Sequence, residues 1–142
     1  MDGNPSGAET APEIELRQLS VEAPATVGRW RIGWQIVNRG KGPLTVLAVL
    51  VPHGQFKATE RRFEPAAVLP AGDAWRFYTD VFCAEPPGLV TENGFVILEV
   101  TWAGEPWRVF ARVSVVVGAA GKPQAKTEAI TTQKVGFSRI HS

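Results

Sequence analysis

The stretch that decides the fold is residues 95–117, which read FVILEVTWAGEPWRVFARVSVVV. Its second half alternates between apolar and polar side chains. The apolar phase consists of Trp107, Val109, Ala111, Val113, Val115 and Val117. Arg108, Arg112 and Ser114 belong to the other phase, and a period of two is typical of a strand with one buried face. Because residues 103–106 have a common length for a hairpin connection, the sequence predicts two antiparallel strands, 95–102 and 107–117.

The same period recurs upstream of this hairpin. Residues 30–36 and 75–81 both alternate between apolar and polar or small side chains. Residues 44–51 are apolar at almost every position, which fits a strand covered on both faces or a central strand of the sandwich. The charges in residues 56–63 favour an edge strand. With residues 14–21, we count about seven strands separated by turn residues. This pattern predicts an all-β protein built as an antiparallel β-sandwich.

One strand and the closing hairpin resemble a known class of module. The stretch from Trp34 to Asn38 continues as Asn38-Arg39-Gly40, a strand that ends in Asn-x-Gly. Together with the hairpin, it resembles the immunoglobulin-like modules that are common in bacterial proteins. The resemblance implies an immunoglobulin-like sandwich of about seven strands, in a class whose members bind other proteins or space out domains. The paired cysteines of antibody domains are missing, since Cys83 is the only cysteine.

Two arms are expected on either side of this domain. Residues 1–12 are rich in Gly, Pro, Ala and Ser, which predicts a disordered leader. Residues 13–117 hold nearly all the large apolar side chains and form the predicted sandwich domain. Residues 118–142 begin with a linker composition and continue as a polar tail, in which residues 123–130 would also fit a turn or two of helix.

Composition argues against several classes of partner. A formal net charge of +1 gives no expectation of a nucleic-acid partner, because such proteins are normally strongly basic. No apolar run approaches the roughly 18 residues that span a bilayer, so we expect no membrane association. The chain starts without the pattern of a secretory signal and contains a single cysteine. These features predict a cytoplasmic protein.

Residues that could carry catalysis or hold a metal are few. Cys83, His53 and Asp80 are the only trio that fits nucleophilic catalysis, and a lone cysteine is most often a small buried hydrophobe. His53 and His141 lack the spacing of zinc ligands. Residues 39–42, Arg-Gly-Lys-Gly, could cradle a phosphate but are more typical of a plain turn. We therefore expect no catalytic residues, no metal and no cofactor.

Two segments favour a binding role. The loop 83–94 contains Pro86, Pro87 and Glu92, and Pro87-Gly88 suits the centre of a type II turn. The tail carries three apolar residues, Val135, Phe137 and Ile140, in a β-prone run that can add as a strand to its own sheet or to that of a partner. A second copy of the chain is one such partner, which would make the protein a homo-oligomer.

The function that these features favour is a non-enzymatic protein–protein interaction or assembly module. It would dock a partner protein through its C-terminal tail, its 83–94 loop, or both. The alternative is a small-ligand or carbohydrate-binding sandwich. That alternative uses Trp75 and Tyr78, because aromatic faces stack on sugar rings and these two lie near a turn.

Overall fold

The computed structural model describes residues 11–23 and 26–135 of the chain. Within these ranges the protein is all-β, with eight strands in one antiparallel sheet. The strands are β1 (Ile14–Glu22), β2 (Arg29–Asn38), β3 (Leu44–His53), β4 (Phe56–Leu69), β5 (Ala74–Phe82), β6 (Val90–Trp102), β7 (Glu105–Val117) and β8 (Pro123–Lys134). A three-residue 3₁₀ turn, Ala119–Gly121, joins the last two strands. No helix in the described part of the chain is long and apolar enough to cross a membrane.

The strand order in the sheet is β1-β2-β5-β4-β3-β6-β7-β8. The predicted hairpin is confirmed as β6 and β7, whose register runs from Val90 opposite Val116 to Trp102 opposite Glu105. The ladder between β4 and β5 consists of the pair Lys57 and Phe82. β4 lies between β5 and β3 in the strand order, so the edge position predicted for it is wrong, although its pairing with β5 is minimal. β3 pairs with both β4 and β6, as a central strand does.

The sheet nearly closes on itself, because β1 and β8 lie side by side. Side chains join them: Gln18 Nε2 donates to the Pro123 carbonyl at 3.2 Å, and Ala125 N–H donates to Gln18 Oε1 at 2.7 Å. The Thr127 hydroxyl donates to the Leu16 carbonyl at 2.7 Å. The side-chain amide of Gln18 therefore makes the two hydrogen bonds that a backbone peptide group would make if β1 and β8 were paired as neighbouring strands.

The inward-facing side chains of the strands pack together into one hydrophobic core. The largest side chains with under 2% exposure include Trp34, Phe56, Ile32, Ile36, Leu44 and Leu98. Burying a large apolar side chain stabilises a fold by roughly 1.5–3 kcal/mol. The indole of Trp34 donates to Thr79 Oγ1 and that of Trp30 to the Cys83 carbonyl, both at 2.9 Å. Both buried N–H groups are therefore satisfied.

Asn38, in the Asn-x-Gly sequence, forms hydrogen bonds that link the turn after β2 to the end of β4. Asn38 is fully buried, and its Nδ2 donates to the carbonyls of Gly42 at 2.8 Å and Leu69 at 2.9 Å. Its Oδ1 accepts from the Gly40 N–H at 2.9 Å. Gly40 is required because a Cβ there would lie 2.5 Å from the Trp102 ring. Asn38 therefore fixes the turn after β2 against the end of β4.

The structure differs from the sequence expectations in the number and length of strands. There are eight strands in the described residues instead of about seven, because residues 123–134 of the expected tail form β8, paired with β7. The helical turns considered for residues 123–130 are wrong. β6 begins at Val90 instead of residue 95. Most of the expected leader lies outside the described residues, although Pro12 is buried.

Candidate interaction surfaces

The loop between β5 and β6 is held rigidly at one end of the molecule. Leu89 N–H donates to the Pro86 carbonyl at 3.2 Å, and Gly88 has a φ of +94°. The predicted type II turn at Pro87-Gly88 is therefore confirmed. Gly88 N–H donates to the Val117 carbonyl at 2.7 Å, and Val117 N–H donates to the Leu89 carbonyl at 2.9 Å. These bonds attach the loop to the end of β7.

The other side of the loop is attached to the turn between β1 and β2. Cys83 N–H donates to the Gly28 carbonyl at 2.8 Å. Gly28 has a φ of +82°, and a Cβ added there would lie 3.4 Å from both Phe82 and Ala84. The glycine therefore supplies a left-handed turn at a point of close approach. Both ends of the loop 83–89 are fixed by backbone hydrogen bonds.

Apolar side chains are exposed at this end of the molecule. Val27 is 92% exposed, Val90 51%, Phe82 49% and Val116 45%. Pro86 and Pro87 are exposed between them. We call this surface the apolar end; it consists of Val27, Phe82, Ala84, Pro86, Pro87, Val90 and Val116. Exposed apolar side chains beside a loop that is fixed at both ends make this end of the molecule a candidate interaction site.

Sequence reasoning found the prolines but missed most of the apolar end. Phe82 and Val116 occupy the outward phase of β5 and β7, which the sequence analysis assigned to polar residues. An apolar residue on the polar phase of a strand was the signal available. Val27 and Val90 carried no such signal, because each lies at the border of a strand, where the phase is undefined.

Glu92 does not belong to the loop as expected. It lies in β6, at a register shift between Thr91 and Gly94 in the ladder with β7. The neighbouring Thr91 is buried, and its hydroxyl donates to Gln55 Oε1 at 3.0 Å. Glu92 is exposed. The bulge interrupts the period of two between Thr91 and Gly94, so the apolar pattern predicted only the part of β6 that follows it.

The structure does not bring Trp75 and Tyr78 together. Trp75 is half-buried on the inner phase of β5, stacked on Phe77 at 5.5 Å and edge-on to Phe63 at 4.8 Å between ring centroids. Tyr78 is 42% exposed on the outer phase, with the Arg31 guanidinium 5.4 Å from its ring centroid. Side chains on opposite phases of a strand point to opposite faces of the sheet. The two rings therefore form no common platform for a sugar.

The apolar tail residues divide into described and undescribed positions. Val135 is half-buried, and its N–H donates to the Pro106 carbonyl at 2.9 Å, which continues the β7–β8 pairing by one residue. Phe137 and Ile140 lie outside the described residues. Between residues 123 and 135 the tail therefore pairs with its own sheet.

Of the three residues considered for catalysis, Cys83 and Asp80 lie on opposite phases at the end of β5, and the side chain of His53 lies outside what the structure describes. Cys83 is buried, and burial raises the pKa of its thiol, which disfavours the reactive thiolate. Asp80 is exposed on the outer phase of β5, 3.8 Å from Arg31. Across the described residues, no group of three or more His, Cys, Asp or Glu side chains could hold a metal ion.

Comparisons with known proteins add little. No family model matches this chain, and no curated protein matches it. Among solved structures, it is similar to the X-ray structure of Northeast Structural Genomics Consortium target SoR45, at 10% identity over 89% of this chain and 86% of that chain. The TM-score is 0.28, which is too low to carry an argument about fold or function.

Proposed function

We propose that this protein is a non-enzymatic interaction module that binds a partner protein through its apolar end. The observation that carries the proposal is the set of exposed apolar side chains on and beside a loop fixed at both ends. Phe82 and Val90 expose about half of their surface, and the hydrogen bonds of Cys83 and Gly88 hold the loop between them. A rigid loop loses little conformational entropy on binding, so more of the contact energy appears as affinity.

An immunoglobulin-like sandwich is the architecture that we propose for this module. Three features of the pairing support it. β2 pairs with β5 and β3 pairs with β6, as the corresponding strands of that topology do. The ladder between β4 and β5 is a single pair, and side chains join β1 to β8. In the proposed sandwich, the single sheet would divide into β1-β2-β5 and β4-β3-β6-β7-β8 at the two borders where backbone pairing is weakest, β4–β5 and β1–β8.

The tail is a less favoured docking element than the loop. Residues 123–134 already pair with β7, so their backbone is engaged on that side. Self-association through the remaining tail stays a prediction that light scattering coupled to gel filtration measures directly. The cytoplasmic location also stays a prediction.

The test of the proposed function is quantitative affinity capture with three full-length baits. They are the natural chain, the double variant Phe82→Ser/Val90→Ser, and the control Val68→Ser, which changes a residue that is 63% exposed on β4. Polar substitutions at exposed positions change the free energy of unfolding by only about 0.5 kcal/mol, and circular dichroism of each bait checks that the fold is kept. We expect a partner that the natural and control chains retain and that the double variant retains at least about tenfold less, as hot-spot losses predict.

Two results would contradict the proposal. The first is a partner that all three baits retain equally, since binding would then lie elsewhere. The second is the absence of any protein enriched on the natural bait over the double variant.

A further inference from the structure

The outer face of the sheet carries large apolar side chains in the middle of three neighbouring strands. Leu50 of β3 lies opposite Ile97 of β6, and Ile97 lies opposite Phe110 of β7. Residues directly opposite each other in adjacent strands share a face, so these three side chains form one row across the sheet. We call this set the apolar row. Phe95 lies on the same face, two residues before Ile97 along β6.

The apolar row points away from the core. In β6, Val96 and Leu98 are fully buried, whereas Ile97 between them is only half-buried. None of the three row residues belongs to the core cluster or packs against it, and neither does Phe95. The eight strands of the described chain all lie in the sheet itself, so no further strand among them covers this outer face. The apolar row is therefore open to a partner.

The charges that border the apolar row are balanced in sign. Arg62 forms ion pairs with Glu60 at 3.1 Å and with Glu99 at 3.3 Å. Arg108 lies directly opposite Glu99. The border consists of three arginines and three glutamates, which are Arg62, Arg108, Arg112, Glu60, Glu99 and Glu128. Because their charges cancel, this face does not favour an acidic or a basic partner, and apolar contact decides what it binds.

A shallow depression lies beside the apolar row. It has a volume of about 160 Å³, and Leu50, Ile97 and Phe110 are among the residues that line it. Sites for small molecules are larger, at roughly 300–1,000 Å³, so the depression suits one side chain of a facing protein. Phe95 lies about 7 Å from it along β6, at about 3.4 Å per residue. The β3–β6 ladder ends at Leu50 and Ile97, so Phe95 has no paired neighbour on the β3 side.

These features suit a second copy of the same chain. In a two-fold symmetric dimer each face meets the identical face, so Phe95 of each copy can enter the depression of the other. Two sheets with apolar facing side chains pack about 10 Å apart, which requires a flat apolar face on both sides. The outer face of β1, β2 and β5 does not meet this requirement, because Arg17, Arg31 and Arg76 are exposed on it.

We propose that the protein forms a symmetric dimer in which the apolar rows of two copies pack face to face. This contact goes beyond the proposed function and does not depend on it. Val90 of the apolar end lies seven residues from Ile97 along β6, which is over about 20 Å in a strand. Each copy of the dimer would therefore keep its apolar end free for a partner protein.

The test is sedimentation velocity of the full-length protein over a concentration series. We expect a dimer at about 0.5 mM, where a complex of even modest affinity forms. Ile97→Lys and Phe110→Lys should each raise the dissociation constant at least about thirtyfold, a loss typical of central interface residues. The matched control is Leu19→Lys, which places the same charge at an apolar residue of β1 that is 39% exposed. Circular dichroism checks the fold of each variant.

A second measurement uses the natural chain alone, so it does not depend on how the variants fold. On dilution, the amide signals of Leu50, Ile97 and Phe110 should shift together with the dimer fraction. A natural chain that is monomeric at the highest concentration would overturn the proposal. A dimer that both lysine variants leave intact would do the same, as would dilution shifts confined to residues away from the apolar row.

Two further samples separate this contact from the other interaction sites. The double variant Phe82→Ser/Val90→Ser should dimerise like the natural chain, so failure of the dimer and failure of the apolar end can be told apart. A chain ending at Val135 should also dimerise normally. Loss of the dimer in that shorter chain would assign self-association to the tail and overturn the proposal.

Discussion

At the scale of single residues, Asn38 shows how one buried polar side chain can hold two chain segments together at the edge of the core. It is fully buried and all three of its amide hydrogen-bonding contacts go to backbone groups. Asn38→Ala leaves the carbonyls of Gly42 and Leu69 and the N–H of Gly40 without this partner. We expect a loss of about 3 kcal/mol in the free energy of unfolding, because buried unpaired groups are costly.

The measurement at this scale is thermal unfolding of Asn38→Ala beside Arg39→Ala. The loss predicted for the first variant corresponds to a Tm lower by roughly 10 °C in a domain of this size. Arg39 is exposed and pairs with Glu15 on the surface, so its variant should leave the Tm almost unchanged. Equal Tm values for the two variants would show that Asn38 is not an anchor.

Residues also mark the limit of what the sequence could predict. The alternation in β2 placed Trp30 and Trp34 in the core, and the structure confirms both positions. The same alternation runs through Trp75 and Tyr78, and an odd separation of three places them on opposite faces. Their closeness in sequence was therefore a misleading sign of a shared site. The ion pair of Arg39 with Glu15 and the hydrogen bond of Arg17 to Gln35 depend on pairing between β1 and β2, which local patterns do not encode.

At the scale of elements, β8 is the strand that the sequence predicted only in part. Its inner phase consists of small or polar residues such as Ala125 and Thr127, and its burial is only partial. A weak apolar period therefore left residues 118–142 assigned to a linker and tail, although the β-prone run that contains Val135 was expected to add as a strand to its own sheet or to that of a partner. The first of these alternatives is observed up to Val135. Position explains this composition, because β8 lies at the end of the strand order and shares its border with β1 through side chains.

Removal of β8 should therefore unfold the domain, and not merely remove an attachment segment. A chain ending at Val117 loses the entire ladder with β7 and uncovers Ala111, Val113 and Val115, which are at most 1% exposed. We expect an insoluble or largely unfolded product, since the loss is comparable with the roughly 5–15 kcal/mol that stabilises a typical domain. A chain ending at Val135 should keep its circular dichroism and Tm. A folded, soluble chain ending at Val117 would contradict this assignment of β8.

At the scale of the whole molecule, one core is shared by strands from both ends of the sequence. Leu16 of β1, Trp34 of β2 and Val113 of β7 belong to one buried cluster, and Ile130 of β8 packs against it. The sequence anticipated the antiparallel β-architecture, because a period of two reports burial on one face. It did not anticipate the near closure of the sheet, because closure depends on Gln18 meeting a strand 105 residues away.

This shared core predicts that the described domain unfolds as a single unit. In urea, the fluorescence of the buried tryptophans, which include Trp30 and Trp34, should change in the same transition as the far-UV circular dichroism, as two-state unfolding requires. Amide exchange provides the sharper measurement, because it reports on each strand. Ala125 in β8 and the amides around Trp34 in β2 should lose protection at the same urea concentration. Earlier loss at Ala125 would mean that the Gln18 and Thr127 contacts open before the core does, so that β8 behaves as a detachable arm.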